Sequence, residues 1–147
     1  MDLLQVNPDA RWTTVPIGEG EHKVVIADDF YLHAEQVGGL AQSLYYCAGP
    51  MHGNFPGGRA VVSLNTRSLI EALGDAWGTP LQQAGGLYQP VVFSVIRNDP
   101  QLQLSESQRQ PHIDPGVSAM VYLNHESECA GGTGIYRNRP TGLERIP

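Results

Sequence analysis

Short apolar runs alternate with Gly- and Pro-rich stretches along most of the chain, and two segments carry apolar residues at helical spacing. Val24–Ala27 is a β-branched run that predicts a buried strand. Apolar residues then recur every three or four positions and predict two helices, over residues 34–48 and Thr66–Trp77. In the second of these, Ser68 and Glu71 have the spacing of a capping box.

The second half of the chain has the pattern of strands. We predict strands over Val91–Ile96, Ala119–Leu123 and Gly134–Arg137. Residues 1–23 predict an irregular or edge-strand lead-in, and residues 49–58 a loop, because Gly and Pro interrupt both. With helices in the first half and strands in the second, the chain is predicted to be one domain of the α+β class.

Composition and charge narrow the classes of function. The 147 residues are 41% hydrophobic, which is enough for a core, and the net charge of −6 argues against a general nucleic-acid or anionic-membrane binder. No apolar run approaches the roughly 20 residues of a membrane helix. The N-terminus lacks the pattern of a signal peptide, and two Cys are too few for a disulfide scaffold. We therefore predict a cytoplasmic protein with reduced thiols.

One short pattern could carry chemistry. In an extended segment, residues two apart point to the same side, so His112 and Asp114 can converge on one point. An imidazole and a carboxylate are two of the three ligands of the facial triad that holds Fe(II) in oxygenases. The plain alternative is a turn, in which Asp114 caps a backbone amide ahead of Pro115 and Gly116.

Several motifs, in chain order, resemble the prolyl-hydroxylase-like branch of the 2-oxoglutarate- and Fe(II)-dependent oxygenases, in particular its small bacterial members. The resemblance spans about residues 24 to 137 and rests on five segments: Val25–Tyr31, Phe55–Arg59, Pro111–Asp114, Ala119–Asn124 and Gly131–Thr133. They are similar to the strand-and-helix opening, a Pro-Gly-x-Arg segment, the first two metal ligands, a Tyr-Leu-Asn strand and a Gly-Gly-x-Thr turn.

The resemblance implies a fold and an activity. The fold is a double-stranded β-helix (jelly-roll) with N-terminal helices packed on it. The activity is that of a dioxygenase, a hydroxylase when complete, with Fe(II) bound by His112 and Asp114 and with 2-oxoglutarate as co-substrate. Tyr122, Asn124 and Thr133 are expected to line a site for a small-molecule or peptide substrate.

The chain departs from the family pattern beyond this point. The family's third ligand is a His well downstream, followed by a basic residue that receives 2-oxoglutarate. The only His after Asp114 is His125, which lies where the family has a turn. The C-terminal strands are thus expected to be missing, and a chain ending at Pro147 is predicted to be inactive. The unpaired edges of the remaining strands would then be exposed, and we expect a homo-oligomer to cover them.

Two other readings stay open. A zinc site can be composed from His112, Asp114, His125 and Cys129, with the last two at a tolerable ligand spacing. Alternatively, the chain is a non-catalytic, degenerate jelly-roll used for binding or assembly. Tightly held zinc favours the zinc reading, whereas weak, chelatable iron favours the oxygenase.

Overall fold

The computed structural model describes residues 2–19, 22–47, 55–81, 88–96, 104–112, 117–129 and 132–143. In chain order the strands and helices are β1 (Arg11–Ile17), β2 (His22–Asp28), α1 (Ala34–Ser43), β3 (Gly58–Asn65), α2 (Arg67–Trp77), β4 (Tyr88–Val95) and α3 (Glu106–Arg109), followed by a 3-10 helix at Glu126–Glu128.

β1 and β2 form the first antiparallel pair. Their register joins Arg11 to Asp28 at one end and Ile17 to His22 at the other. β2 contains the predicted run Val24–Ala27, which is confirmed as a strand, but its side chains are half-buried or exposed and not buried as predicted. For residues 1–23 the sequence predicts either an irregular segment or an edge strand. The structure has a strand at Arg11–Ile17, because its Thr and Val residues pair readily with β2.

β3 and β4 form the second antiparallel pair, with α2 as the connection between them. The register runs from Gly58 opposite Val95 to Asn65 opposite Tyr88. β4 confirms the predicted strand at Val91, although it begins earlier and ends at Val95. β3 is not predicted from the sequence, because the Gly-Pro-rich residues ahead of it have the composition of a loop.

One face of the β3–β4 pair carries most of the core. Leu4, Val37, Ala60 and Phe93 are the buried apolar residues of the described chain, and Leu4 and Val37 are each only 1% exposed. Ala60 and Phe93 are opposite each other in the sheet, so α1 and the N-terminal segment pack on this inner face. Further apolar side chains pack around them: Leu3, Tyr31, Leu40, Ala41, Leu44, Tyr46, Val62, Leu64, Leu69 and Val91.

The N-terminal segment is held in place by polar contacts as well as by burial. The Asp2 carboxylate accepts hydrogen bonds from the Leu4 N–H (3.2 Å) and from the Ser68 hydroxyl (2.7 Å) of α2. Ser68 is the second residue of α2, whose N-cap is Thr66, so the predicted capping box of Ser68 and Glu71 does not form. Its hydroxyl ties the N-terminus to α2 instead.

A lysine links the first sheet to the end of α2. The Lys23 ammonium donates a hydrogen bond to the Trp77 carbonyl and lies 4.8 Å from the centre of the Trp77 ring, a cation–π distance.

Gly78 ends α2 as expected. Its φ of 82° is in the left-handed region, and its N–H donates a hydrogen bond to the Gly74 carbonyl (2.9 Å).

The first predicted helix is shorter than its apolar spacing suggests. It ends at Ser43 rather than at residue 48, and Leu44 is extended. The helix ends early because the chain beyond it is hydrogen-bonded to β3. The Cys47 N–H donates to the Arg59 carbonyl (3.0 Å), and the Arg59 N–H donates to the Cys47 carbonyl (2.9 Å). Cys47 is therefore an exposed residue beside the sheet and not a core residue of the helix.

The jelly-roll prediction is wrong. The described residues form two separate two-stranded antiparallel sheets with three α-helices, an α+β arrangement in which no double-stranded β-helix is present. The described residues of the predicted strands Ala119–Leu123 and Gly134–Arg137 lie outside any strand, with their side chains exposed. An apolar, β-branched run becomes a strand only when another strand pairs with it, and no local pattern supplies that partner. Likewise, β3 is a strand that the sequence pattern does not predict, in the half of the chain where both helices are predicted.

None of the helices in the described part of the chain is long and apolar enough to cross a membrane.

Replacing Leu4 by Ala tests the importance of the N-terminal segment. Because Leu4 is 1% exposed, we expect Leu4→Ala to lower the free energy of unfolding by about 2–4 kcal/mol, measured by urea denaturation. Leu32→Ala is the matched control, since Leu32 is 45% exposed. Equal effects of the two substitutions would contradict a core role for Leu4.

Burial of Tyr31 makes stability sensitive to alkaline pH. Burial raises the pKa of the Tyr31 phenol above its ordinary value of 10.0. The unfolded chain thus loses this proton first, so the stabilisation is present below pH 10.0 and is lost as the pH rises through the raised pKa. In denaturation measured at increasing alkaline pH, Tyr31→Phe should lose less stability than the wild type. Tyr45→Phe, at an exposed position, should not differ from it.

Candidate functional site

His112 follows the short helix α3 and is exposed. Ser105 begins that helix with a capping box, in which its N–H donates to the Gln108 side-chain oxygen (2.9 Å). The chain then leaves the helix at Gln110, whose carbonyl oxygen lies 3.4 Å from His112 Nδ1. This contact is long and exposed, so it restrains the imidazole only weakly. Asp114 lies outside the described residues.

The described residues do not assemble a complete metal site. Within the part of the chain that the structure describes, no three His, Cys, Asp or Glu residues are close enough to hold an ion. His112, His125 and Cys129 are all described, so the zinc set is not brought together by these residues. For iron, the described residues provide His112 as the one ligand of the predicted pair.

His125 takes part in a local turn. Its Nδ1 lies 2.8 Å from the Ser127 hydroxyl, and the Ser127 N–H donates to the same nitrogen at 3.3 Å. The 3-10 helix Glu126–Glu128 closes through a hydrogen bond from the Glu128 N–H to the His125 carbonyl (2.9 Å). The imidazole therefore acts as a cap for this turn, as Asn and Ser side chains often do.

Two of the three predicted substrate residues are brought together. The Tyr122 and Thr133 hydroxyls lie 2.9 Å apart and share a hydrogen bond across eleven residues of sequence. This bond joins the Tyr-Leu-Asn segment to the Gly-Gly-x-Thr segment. Asn124 follows on the same stretch, and its side chain is exposed. The hydroxyl pair can bind one further polar group, because each hydroxyl has both donor and acceptor capacity.

The predicted site residues that the structure describes are open to water. Tyr122, Asn124, Thr133 and His112 are all exposed, so the described residues do not enclose them. Oxygenase and hydrolase chemistry both need a site from which water can be excluded. This arrangement can therefore bind a polar group, but the described residues alone do not form a closed reaction chamber.

A comparison with models of protein families identifies the family of this chain. The model of a family of unknown function, DUF6445, matches residues 8–147. The chain belongs to this family. No curated protein and no solved structure matches the chain. His112, Tyr122 and Thr133 all lie within the matched residues of this DUF6445 chain, whereas Leu4 precedes them.

The sequence pattern did not reveal one surface of the DUF6445 chain, namely the outer face of the β3–β4 sheet. This outer face consists of the residues that alternate with the buried ones, which are Arg59, Val61, Ser63, Pro90, Val92 and Ser94. Val61 and Val92 are opposite each other, and they are 57% and 51% exposed. The missed signal is the alternation of residues 59–64, which is visible once β3 is recognised as a strand.

Cys129 provides a test of the zinc reading. In a Cys47→Ser variant, which leaves Cys129 as the only thiol, we expect the rate of reaction with a thiol reagent to be unchanged by added Zn²⁺. The physical reason is that a single thiol holds Zn²⁺ too weakly to be protected by a stoichiometric amount of the ion, whereas a site with several ligands holds it tightly. Slowing of the reaction by Zn²⁺, abolished by His125→Ala, would contradict this expectation.

Proposed function

We propose that this chain is a 2-oxoglutarate- and Fe(II)-dependent dioxygenase-like protein, a hydroxylase when complete, in which His112 and Asp114 bind the iron. The observation that carries the proposal is the spacing of these two residues within a series of motifs in the family's order. The proposal rests on this ligand pattern and not on the overall fold, because the described strands form two small sheets.

Two features of the described residues support it. His112 is exposed just beyond a capped helix, with its Nδ1 3.4 Å from the Gln110 carbonyl oxygen. An exposed imidazole can reach a metal without losing packing in the core. The Tyr122–Thr133 hydrogen bond links two of the five segments on which the resemblance rests.

Each residue has a defined task in this proposal. When bound, iron with 2-oxoglutarate supplies the oxidation of a C–H bond. The chain's own residues bind and orient: the His112 imidazole donates a ring nitrogen, the Asp114 carboxylate donates an oxygen, and the Tyr122 and Thr133 hydroxyls hold a polar group of the substrate. Asn124 can add an amide contact. A small molecule and a peptide side chain both meet these requirements.

The proposed setting is the cytoplasm. Two cysteines, both free and exposed, fit a reducing compartment, where thiols stay reduced. The net charge of −6 disfavours nucleic acid and anionic membranes as partners.

Metal binding by the whole chain tests the proposal. In an anaerobic titration with Fe(II), we expect one weakly held, chelatable equivalent, because His112 and Asp114 are two of the three ligands of an iron site. His112→Ala and Asp114→Ala should each weaken binding by more than roughly tenfold. His125→Ala is the matched control and should bind like the wild type. Mn(II), observed by electron paramagnetic resonance, is a second probe of the same site.

The outcomes separate the readings. Binding that is equal in the wild type and in His112→Ala contradicts the proposal. Stoichiometric zinc that resists chelators favours the zinc reading instead. Succinate formed from 2-oxoglutarate above the His112→Ala level is not expected from this chain, since two ligands alone hold iron weakly; its detection would show that a third ligand is supplied.

A non-catalytic binding or assembly role is the second candidate. The exposed valines of the outer face favour it, because soluble proteins seldom leave regular apolar surface uncovered.

A further inference from the structure

We propose that His125 is a pH-sensitive switch for the Tyr122–Thr133 pair. Its neutral imidazole holds the turn that joins the two segments, and protonation of the imidazole releases that turn. The inference adds a regulation to the proposed substrate site, so its functional meaning rests on the proposed function. The switch itself is a property of the turn and requires no metal.

The turn lies in the stretch of chain between the two hydroxyls. Tyr122 and Thr133 are eleven residues apart, and their hydroxyls lie 2.9 Å from each other. The 3-10 helix Glu126–Glu128 lies between them in the chain and closes through a hydrogen bond from the Glu128 N–H to the His125 carbonyl (2.9 Å). Because an ordered turn leaves fewer residues of the connecting loop free, it lowers the entropy cost of bringing the two hydroxyls together.

The contacts of the imidazole define which of its nitrogens carries the proton. The Ser127 N–H donates to His125 Nδ1 at 3.3 Å, so this nitrogen is the acceptor. The neutral ring therefore carries its proton on Nε2. The Ser127 hydroxyl, 2.8 Å from Nδ1, is placed to donate to the same nitrogen. Both contacts use the lone pair of Nδ1.

Protonation removes this acceptor. Imidazole side chains gain a proton between about pH 8 and pH 5, and both ring nitrogens are then donors. The Ser127 N–H then faces a second N–H, so its hydrogen bond to His125 is lost. The Ser127 hydroxyl can turn and accept from Nδ1, but this does not satisfy the amide. Because water can replace the partner of an exposed amide, we expect the closed turn to lose roughly two- to threefold in population.

The other titratable groups of this region keep their charge over the same pH range. From residue 117 to residue 137 they are Tyr122, Glu126, Glu128, Cys129, Tyr136 and Arg137. Side chains of these four types ordinarily titrate below about pH 5 or above about pH 8. The His125 side chain is exposed, so a proton reaches it directly from water. Between about pH 7.5 and 5.5, the imidazole is therefore the group of this stretch whose charge changes.

Nuclear magnetic resonance of the full chain, without added metal, tests the switch. The readout is the nuclear Overhauser effect between the Tyr122 ring and the Thr133 methyl group, which falls steeply with their separation. For the wild type we expect this signal to be roughly two- to threefold weaker at about pH 5.5 than at about pH 7.5. His125→Asn should keep the signal at both pH values, because an amide oxygen accepts the Ser127 N–H and does not titrate. His112→Ala is the matched control and should show the wild-type pH dependence.

Each outcome has a defined meaning. A wild-type signal that is equal at the two pH values overturns the inference, and so does an equal loss at low pH in the wild type and in His125→Asn. Tyr122→Phe should give a weak signal at both pH values, and a signal as strong as that of the wild type would also overturn it. If His125→Asn does not fold, His125→Asp replaces it, since a carboxylate also accepts and keeps its charge over this range. No metal enters these measurements, so failure of the iron proposal and failure of this inference are distinguishable.

Discussion

The fold depends on the burial of one N-terminal leucine. Among the residues that the structure describes, Leu4 completes a core with three other buried apolar residues, Val37, Ala60 and Phe93. A two-stranded sheet is marginal alone in water and needs an element packed on one face. α1 and the N-terminal segment cover that face together, and the Asp2 carboxylate fixes the segment to Ser68 of α2. Loss of this contact would expose the inner face of the sheet.

The sequence predicts a helix or strand correctly where residues close together in the chain determine it. β2 and α2 follow from a β-branched run and from helical spacing ended by Gly78, and both occur where the sequence places them. The end of α1 is not local, because the pairing of Cys47 with Arg59 draws the chain out of the helix. The capping box illustrates the same limit: the spacing occurs at both Ser68 and Ser105, but only Ser105 forms the box, because the Ser68 hydroxyl bonds to the distant Asp2 carboxylate.

The candidate site shows which parts of a function a single sequence can predict. A spacing of two residues makes His112 and Asp114 plausible metal ligands wherever the backbone is extended. A third ligand must come from elsewhere in the fold, and no short spacing identifies it. The bond between Tyr122 and Thr133 is likewise non-local, and no spacing predicts it; the resemblance implies only that both residues line a substrate site. The jelly-roll failed for the same reason, since it requires pairing between strands far apart in the chain.

Successive side chains of β3 point to opposite faces of the sheet, and the two faces have different surroundings. Ala60 and Val62 point towards α1 and the N-terminal segment, while Arg59 and Val61 point away from them. A shift in register by one residue would exchange these sets and would turn Ala60 and Val62 outwards. The register that buries Ala60 therefore also makes Val61 face outwards. The apolar outer face is thus a direct result of the same pairing that builds the core.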